Sequence, residues 1–313
     1  MKPLQDKIVV VAGATRGAGR GIAGMLGEAG ATVYCTGRSI RGKPASGSRR
    51  PETIEETAEM VTSYGGTGIP VQVDHTVEAQ VEALFQRVHA EQGRLDVLVN
   101  DVWGGDELTE WGKPFWELSL EKGLTMLQRA LHSHIITSRH GAPLLVERRR
   151  GLIVEITDGD FFGYRGNLFY DLVKTSVIRL AFAMAKELGK YSVASLAVTP
   201  GFLRSEAMLE HFGVTEANWP EGAQKDPHFI ASETPFFVGR AVAALAADPH
   251  VLKKTGRVFS SWDLSDEYGF SDIDGRKPHW GRYFEQTFGK KINKCDETFY
   301  QYWFEGPVDW AVE

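Results

Sequence analysis

Residues 8–22 read IVVVAGATRGAGRGI, and this stretch decides the fold of the chain. Its first five residues are apolar and mostly β-branched, which is typical of a buried parallel strand. Gly13, Gly17 and Gly19 follow in the spacing G-x-x-x-G-x-G. Glycines at such positions allow a tight turn and a close approach of the backbone to a phosphate, and the next helix points its N-terminal N–H groups at that phosphate. The stretch therefore predicts a strand, turn and helix that bind a dinucleotide.

The rest of the chain continues this alternation of strand-like and helix-like segments. We predict strands over 8–12, 32–36, 68–73, 97–100, 152–156, 192–199 and 257–260. We predict helices over 19–29, 52–64, 77–92, 120–148, 171–189 and 234–247. The alternation indicates the α/β class, with a Rossmann-like doubly wound parallel sheet covered by helices on both faces. Ligands of such sheets bind at the carboxyl ends of the strands.

The domain organisation follows from composition along the chain. We expect one α/β domain over residues 1–261, with an aromatic insertion at 103–121 on the substrate side, and an extension over 262–313. The extension is rich in aromatic residues, which a free tail would expose as large apolar patches. It packs over the substrate mouth, packs against a second subunit, or only adds core area; the sequence leaves these alternatives open.

Composition excludes several function classes. The net charge of -6 argues against a nucleic-acid partner. Cys35 and Cys295 are the only cysteines, so a disulfide framework is not expected and a reducing compartment fits. The polar N-terminus leads directly into the first strand, and we find neither a signal peptide nor an apolar stretch that could span a bilayer. We therefore expect a cytoplasmic protein without a membrane partner.

A second motif, Tyr170 and Lys174, indicates chemistry. Residues four apart share one face of a helix. A nearby ammonium favours the phenolate and lowers the pKa of the tyrosine. A tyrosine tuned in this way can donate a proton to a carbonyl oxygen or accept one from an alcohol.

The glycine spacing together with Y-x-x-x-K resembles the short-chain dehydrogenase/reductase (SDR) family, over about residues 7–257. Within the family, residues 16–22, 94–100 and 263–275 resemble the pattern of one branch in particular. The resemblance implies an oxidoreductase that moves hydride between a nicotinamide and a carbonyl or secondary alcohol. Tyr170 would be the general acid or base, and Lys174 would lower its pKa and hold the nicotinamide ribose. Family members often form dimers or tetramers through two long helices, which are 120–148 and 171–189 in this sequence.

The resemblance also assigns the cofactor to residues along the strand ends. These are Gly13, Thr15, Arg16, Gly17, Ala18, Gly19, Arg38, Asp74, His75, Asn100, Val102, Tyr170, Lys174, Pro200, Gly201, Leu203 and Ser205. Among them, Asp74 would contact the adenine edge and Ser205 the nicotinamide amide. Where many members read Asn-Asn-Ala-Gly, this chain keeps only the first residue, Asn100.

The end of the second strand predicts NADP(H) rather than NAD(H). A carboxylate at this position binds the ribose 2′-hydroxyl of NAD, but residues 36–39 read Thr-Gly-Arg-Ser. The planar guanidinium of Arg38 suits a 2′-phosphate, and Arg16 is a second candidate for the same group.

The family's catalytic serine is missing. Direct superposition places Asp158 at its position, with Thr157 one residue earlier. Thr157 could donate to a carbonyl only after a backbone shift. An ionised Asp158 cannot donate; it could act when protonated in an apolar pocket, accept from a substrate hydroxyl, ammonium or phenol, or simply cap the turn into the next helix. These alternatives remain open in the sequence.

The asparagine that holds a relay water in the family is also missing. Its stretch contains Gln128, His132 and His134, any of which could replace it or only pack. Because no His, Cys, Asp or Glu cluster has metal-ligand spacing, we predict no metal.

The substrate is bounded only by the aromatic residues on loops near the nicotinamide. These are Trp103, Phe161, Phe162, Tyr164, Phe202 and Phe212, and they favour an apolar or ring-containing substrate. Two rival hypotheses stand beside the oxidoreductase. One is a non-catalytic nucleotide-binding sensor or scaffold, and the other is a dehydratase or isomerase that uses Asp158.

Overall fold

The computed structural model of the chain describes residues 2–43, 50–290, 294–295 and 299–301. Within these residues, a single sheet holds the strands β1 (Ile8–Ala12), β2 (Thr32–Gly37), β3 (Thr67–Gln72), β4 (Val97–Asn100), β5 (Gly151–Ile156), β6 (Val193–Thr199) and β7 (Val258–Ser260). Their order is β3-β2-β1-β4-β5-β6-β7, and every neighbouring pair is parallel. This arrangement confirms the predicted doubly wound α/β fold.

Helices cover both faces of this sheet. They are α1 (Gly17–Glu28), α2 (Ile54–Ser63), α3 (Glu78–Gln92), α4 (Leu120–Leu127), α5 (Ser133–Glu147), α6 (Leu168–Leu188), α7 (Glu206–Phe212), α8 (Pro235–Ala247), α9 (Ser261–Tyr268) and α10 (Trp280–Phe288). Val9 and Val11 pack with α1 and α8 on one face, whereas Ile8 and Val10 pack with α3 and the end of α5 on the other. Because both faces are covered, all five residues of β1 are buried.

The observed strand bounds lie within one residue of the predicted ones. The predicted helix over 120–148 is interrupted, because residues Gln128–His132 form one π-helical turn between α4 and α5. Such turns insert a residue into the helical ladder and often occur at functional sites. Three helices, α7, α9 and α10, were not predicted, and each is shorter than ten residues.

The insertion and the extension are only partly regular. Residues 103–121 contain short 3₁₀ turns at Asp106–Leu108 and Phe115–Glu117. β7 ends at Ser260 and α9 begins at Ser261, where we expect the extension to start; that boundary stays a prediction. The aromatic residues predicted at 302–304 and 310 fall outside the described residues. No helix in the described ranges is long and apolar enough to cross a bilayer.

Candidate active site

The glycine turn closes against the end of β4. Gly13 has a φ of +91°, and a Cβ on it would lie 2.5 Å from the carbonyl oxygen of Asp101, so no larger residue fits. The turn brings the first N–H groups of α1 to the carboxyl edge of the sheet. The N–H of Gly17 donates to the Glu206 carboxylate at 2.8 Å. A carboxylate thus occupies the anion position at the N-terminus of α1, which fits a site for cofactor phosphate.

Tyr170 lies in the first turn of α6, and its phenol meets Asp158. The side chain of Asn167 caps this helix by accepting from the N–H groups of Phe169 and Tyr170, at 3.0 and 3.1 Å. The Tyr170 hydroxyl donates to Oδ2 of Asp158 at 2.7 Å. Burial and the Asp158 charge raise the pKa of Tyr170 above its ordinary value. The expected lowering by Lys174 is therefore not what this arrangement produces.

Lys174 lies one turn further along α6 and faces an aromatic ring. Its Nζ is 4.1 Å from the centroid of the Trp103 ring and 5.5 Å from that of Tyr170, within the range of cation–π attraction. Burial lowers the pKa of Lys174, while the nearby carboxylates of Asp158 and Asp101 oppose that shift. Burial also raises the pKa of Asp101 to about 7, against the opposing charge of Lys174.

The structure separates the two candidates for the serine position. Thr157 is buried, and its hydroxyl donates to the backbone carbonyl of Lys174 at 2.7 Å. Its side chain therefore holds β5 to α6 and does not face Tyr170. Asp158 is half-buried and contacts the phenol directly. The hydrogen bond from Tyr170 to Asp158 was not among the alternatives that the sequence left open, since those in which Asp158 accepts a hydrogen bond named only groups of the substrate.

Arg165 holds the loop between β5 and α6 in place, and sequence reasoning did not identify it as a site residue. Its side chain is 3% exposed. The guanidinium donates to the carbonyl oxygens of Asp158 and Phe161, both at 2.6 Å, and to Oδ1 of Asp171 at 3.0 Å. It also lies 4.8 Å from the centroid of the Phe161 ring. Through these contacts, Arg165 fixes the backbone of Asp158 relative to α6.

The aromatic residues named from the sequence divide into separate groups. Trp103 and Trp111 cover Tyr170, with ring centroids 5.4 and 5.3 Å from its own. Phe202 and Phe212 pack on Phe229, at 5.4 and 4.3 Å between centroids. Phe162 stacks on Phe299, and Tyr164 is exposed. Trp103 and Trp111 are thus the aromatic residues that contact the Tyr170 ring, and Trp111 was predicted only as part of the insertion.

A buried polar network lies under the site. His134 has Nδ1 2.6 Å from Oε2 of Glu155 and Nε2 3.0 Å from the carbonyl oxygen of Val102. Oε1 of Glu155 accepts from Nδ2 of Asn100 at 2.7 Å. Gln128 and His132 are exposed. Of the three candidates for the missing relay asparagine, only His134 is therefore buried. Glu155 was not identified from the sequence, although a carboxylate in an otherwise apolar strand is unusual.

Arg38, which the sequence predicts to select the cofactor, lies directly after β2. Arg38 Nη1 lies 4.0 Å from Oδ2 of Asp74, beside a cavity of about 650 Å³ that Lys43 and Arg87 also line. Burial would raise the pKa of Asp74, but hydrogen bonds from Thr76 and the charge of Arg38 outweigh it and lower the pKa. The backbone N–H and hydroxyl of Thr76 both donate to Oδ1 of Asp74.

His75, assigned to the cofactor by resemblance, is turned into the core. Its ring nitrogens lie 2.8 Å from the Thr36 hydroxyl and 2.9 Å from the Thr137 hydroxyl. Burial lowers its pKa to about 3, so the ring is neutral.

The loop after β6 is held by a buried carboxylate. The N–H of Gly201 donates to Oε2 of Glu233 at 2.9 Å, and the Ser261 hydroxyl donates to the same oxygen at 2.6 Å. Burial raises the pKa of Glu233 to about 8. Ser205 caps α7, since its hydroxyl accepts from the N–H of Met208.

Among the described residues, no set of three or more His, Cys, Asp or Glu side chains is arranged to hold a metal ion.

Comparison with known proteins agrees with this geometry. The family model for short chain dehydrogenase matches residues 7–213. Dehydrogenase/reductase SDR family member 1 of Mus musculus is 38% identical over 280 residues, 88% of this chain and 85% of the relative. The Homo sapiens protein of the same name is 37% identical over 88% of this chain and 85% of its own length. The crystal structure of a short-chain dehydrogenase from Mycobacterium thermoresistibile superposes with a TM-score of 0.71 at 21% identity, over 88% of this chain and 92% of that chain.

Proposed function

This chain belongs to the short-chain dehydrogenase family and is an oxidoreductase that acts on CH–OH or C=O groups, and from that premise we propose its cofactor, catalytic residues and substrate class. The cofactor is NADP(H). The substrate is an apolar or ring-containing small molecule. The single observation that carries the proposal is the phenol of Tyr170, which meets a carboxylate at the carboxyl edge of the sheet where the glycine turn ends.

Tyr170 transfers the proton. In reduction, its hydroxyl protonates the carbonyl oxygen of the substrate; in oxidation, it receives the proton of the alcohol. Asp158 is the adjoining group with which the phenol exchanges that proton. The nicotinamide supplies or accepts the hydride.

Lys174 holds the nicotinamide ribose and Trp103 covers the site. The ammonium already lies against the Trp103 ring, and no salt bridge joins it to a carboxylate among the residues that the structure describes. The Nε1–H of Trp103 donates to Oδ1 of Asp106 at 2.6 Å, which fixes the indole over Tyr170. Together, Trp103 and Trp111 limit access of water and favour a ring-containing substrate.

Arg38 and Arg16 select the 2′-phosphate of NADP(H). No carboxylate follows β2 directly, and Oδ1 of Asp74 is already used by Thr76. Arg38 is 39% exposed beside the cavity at this end, so its guanidinium is accessible to a ligand. Burial lowers the pKa of Arg16, which is compatible with a cation that an incoming phosphate would neutralise.

The test is a parallel titration with NADPH and NADH, followed by tryptophan fluorescence, together with a turnover assay on ring ketones and ring alcohols. We expect much tighter binding of NADPH than of NADH, and a change in NADPH absorbance with at least one substrate. Equal binding of the two nucleotides would contradict the assignment of Arg38 and Arg16. NADPH binding without turnover of any substrate would favour a non-catalytic sensor.

Assembly is proposed to be homodimeric or homotetrameric. Leu120, Leu124, Ile135 and Leu172 are large apolar residues exposed on α4, α5 and α6. Their exposure supports burial against a second copy. Light scattering coupled to size exclusion would return a monomer mass if this proposal is wrong.

A further inference from the structure

The hydrogen-bonding groups around Tyr170 bear on the substrate class of the proposed reaction. A phenol has a single proton, and that of Tyr170 is donated to Asp158. The lone pairs of the phenol oxygen remain, so in this state Tyr170 offers an acceptor to the substrate. A carbonyl oxygen needs a donor, whereas an alcohol hydroxyl needs an acceptor.

Thr157, Trp103 and Arg165, which lie next to this pair, direct their hydrogen-bond donors to other groups. The Thr157 hydroxyl donates to the Lys174 carbonyl, and the Trp103 indole N–H donates to Asp106. The Arg165 guanidinium is directed to loop carbonyls, Asp171 and Thr175. The ammonium of Lys174 faces the Trp103 ring and is reserved for the ribose in the proposed function. Among the residues that the structure describes, no serine or threonine hydroxyl is hydrogen-bonded to Tyr170 or Asp158.

Asp158 offers a second acceptor beside the first. Its Oδ2 accepts from Tyr170, and its Oδ1 accepts no hydrogen bond from the residues that the structure describes. The side chain is half-buried, and Oδ1 is not among the fully buried side-chain atoms that lack a partner, so a ligand can reach it. A bound substrate that shields this oxygen from water has to donate to it, because an unpaired buried charge is costly.

We propose that the substrate is a vicinal diol and that the site oxidises one of its two hydroxyl groups. The proposal rests on the proposed function. The reacting hydroxyl donates to the oxygen of Tyr170, and the neighbouring hydroxyl donates to Oδ1 of Asp158. Asp158 is thereby the residue that determines specificity for the diol, because it presents a hydrogen-bond acceptor where a serine would present a donor.

The step balances as an alcohol dehydrogenation. The C–H bond of the reacting carbon breaks, and its hydride leaves for the oxidised nicotinamide of NADP⁺. The hydroxyl proton passes to the Tyr170 oxygen as the Tyr170 proton passes to Asp158. The products are an α-hydroxyketone, NADPH and a protonated Asp158, which releases its proton to water.

The test compares three probes of one ring system: indane-1,2-diol and 1-indanol with NADP⁺, and 1-indanone with NADPH. For the unaltered protein we expect kcat/KM for the diol to exceed that for 1-indanol by about tenfold or more, as the loss of a hydrogen bond to a charged group implies. In Asp158→Ser, which supplies a donor, we expect this ratio to fall toward one and reduction of 1-indanone to increase. Unchanged NADPH binding and near-UV circular dichroism would show that Asp158→Ser is folded.

The outcomes separate this inference from the proposed function. Equal turnover of 1-indanol and the diol, with loss of both in Tyr170→Phe, overturns the diol inference and keeps the oxidoreductase. A ratio that Asp158→Ser does not change also overturns it. If none of the three probes changes NADPH absorbance, the diol inference fails as well, and the proposed function is then decided by the wider substrate assay.

Discussion

The two ends of the sheet edge differ in what builds them. At the glycine turn, backbone groups form the site: the N–H of Gly17 holds an anion and Gly13 packs against the Asp101 carbonyl. At the other end, side chains form it: Tyr170 and Asp158 meet across a loop that Arg165 fixes. Backbone sites depend on glycine spacing and tolerate little change, whereas side-chain sites can exchange one chemistry for another on the same fold. The replacement of the family's serine is found at the second end, whereas the residues after Asn100 depart from the family pattern beside the glycine turn.

The largest expected effect is that of Tyr170→Phe, which removes the hydroxyl that the catalytic end depends on. We expect kcat to fall by roughly 10²- to 10⁴-fold, with little change in NADPH binding. Tyr164→Phe is the matched control, because Tyr164 lies in the same loop region but is exposed. Unchanged steady-state turnover in Tyr170→Phe would contradict the assigned role.

Arg165→Lys tests whether the side-chain end depends on a residue that contacts no substrate. Lysine lacks the planar fork that reaches the Asp158 and Phe161 carbonyls together, so we expect kcat to fall by about tenfold to a hundredfold. Because the position is buried, the melting temperature should also fall. Arg139→Lys, on the exposed surface of α5, serves as control.

A purely structural loss at Arg165 has a different signature from a loss of positioning. In Arg165→Ala, added guanidinium ion at low concentration should restore part of kcat if the guanidinium positions Asp158. If guanidinium ion does not restore kcat although near-UV circular dichroism shows that Arg165→Ala is folded, then the loop positions Asp158 without the guanidinium group.

Arg38→Ala tests the end of the site that is built from backbone groups. There we expect a side chain to determine only the preference for NADPH over NADH. We expect the Kd for NADPH to rise by about tenfold or more, with the Kd for NADH unchanged. Arg41→Ala is the control, since Arg41 is exposed and pairs with Glu59. An equal loss of affinity for NADPH and NADH would mean that Arg38 stabilises the turn itself and does not bind the 2′-phosphate.

Glu206→Gln should have a smaller effect, and in the opposite direction. The Glu206 carboxylate competes with phosphate for the Gly17 N–H, so its neutralisation should tighten NADPH binding by a few-fold. Glu210→Gln on the same helix changes the same charge away from the turn and is the control. Weaker NADPH binding in Glu206→Gln alone would show that the carboxylate supports the cofactor site.

The smallest effect is a pH dependence of stability that comes from Glu233, the buried carboxylate that holds the loop after β6. Burial raises the pKa of Glu233 from 4.5 to about 8, so the folded state binds the extra proton between these values. Stability from this group is full below about pH 4.5 and is lost as the pH rises through about 8. Between pH 5 and pH 8, the melting temperature should therefore fall more in the unaltered protein than in Glu233→Gln. The same change of melting temperature with pH in both proteins would contradict this assignment to Glu233.

Sequence reasoning reached the backbone end more completely than the side-chain end, for a physical reason. The turn at Gly13 and the strand end at Asn100 follow from periodicity and spacing, which are local. The contact of Asp158 with Tyr170 was not among the alternatives left open for Asp158, because it depends on the path of the loop. Arg165 and Glu155 were missed, since their partners are set by the tertiary fold. The assignment of His75 by resemblance did not anticipate a ring held in the core by Thr36 and Thr137.

The hydrogen bond from Gly17 to Glu206 has a consequence for the kinetic order of the reaction. It ties the start of α1 to the first residue of α7, the helix whose last residue, Phe212, packs beside Phe202. Phosphate that replaces the carboxylate releases this tie, and α7 is then free to settle around the second ligand. We therefore expect a compulsory sequence, in which the nucleotide enters first and leaves last, and product inhibition that is competitive only between the two forms of the nucleotide.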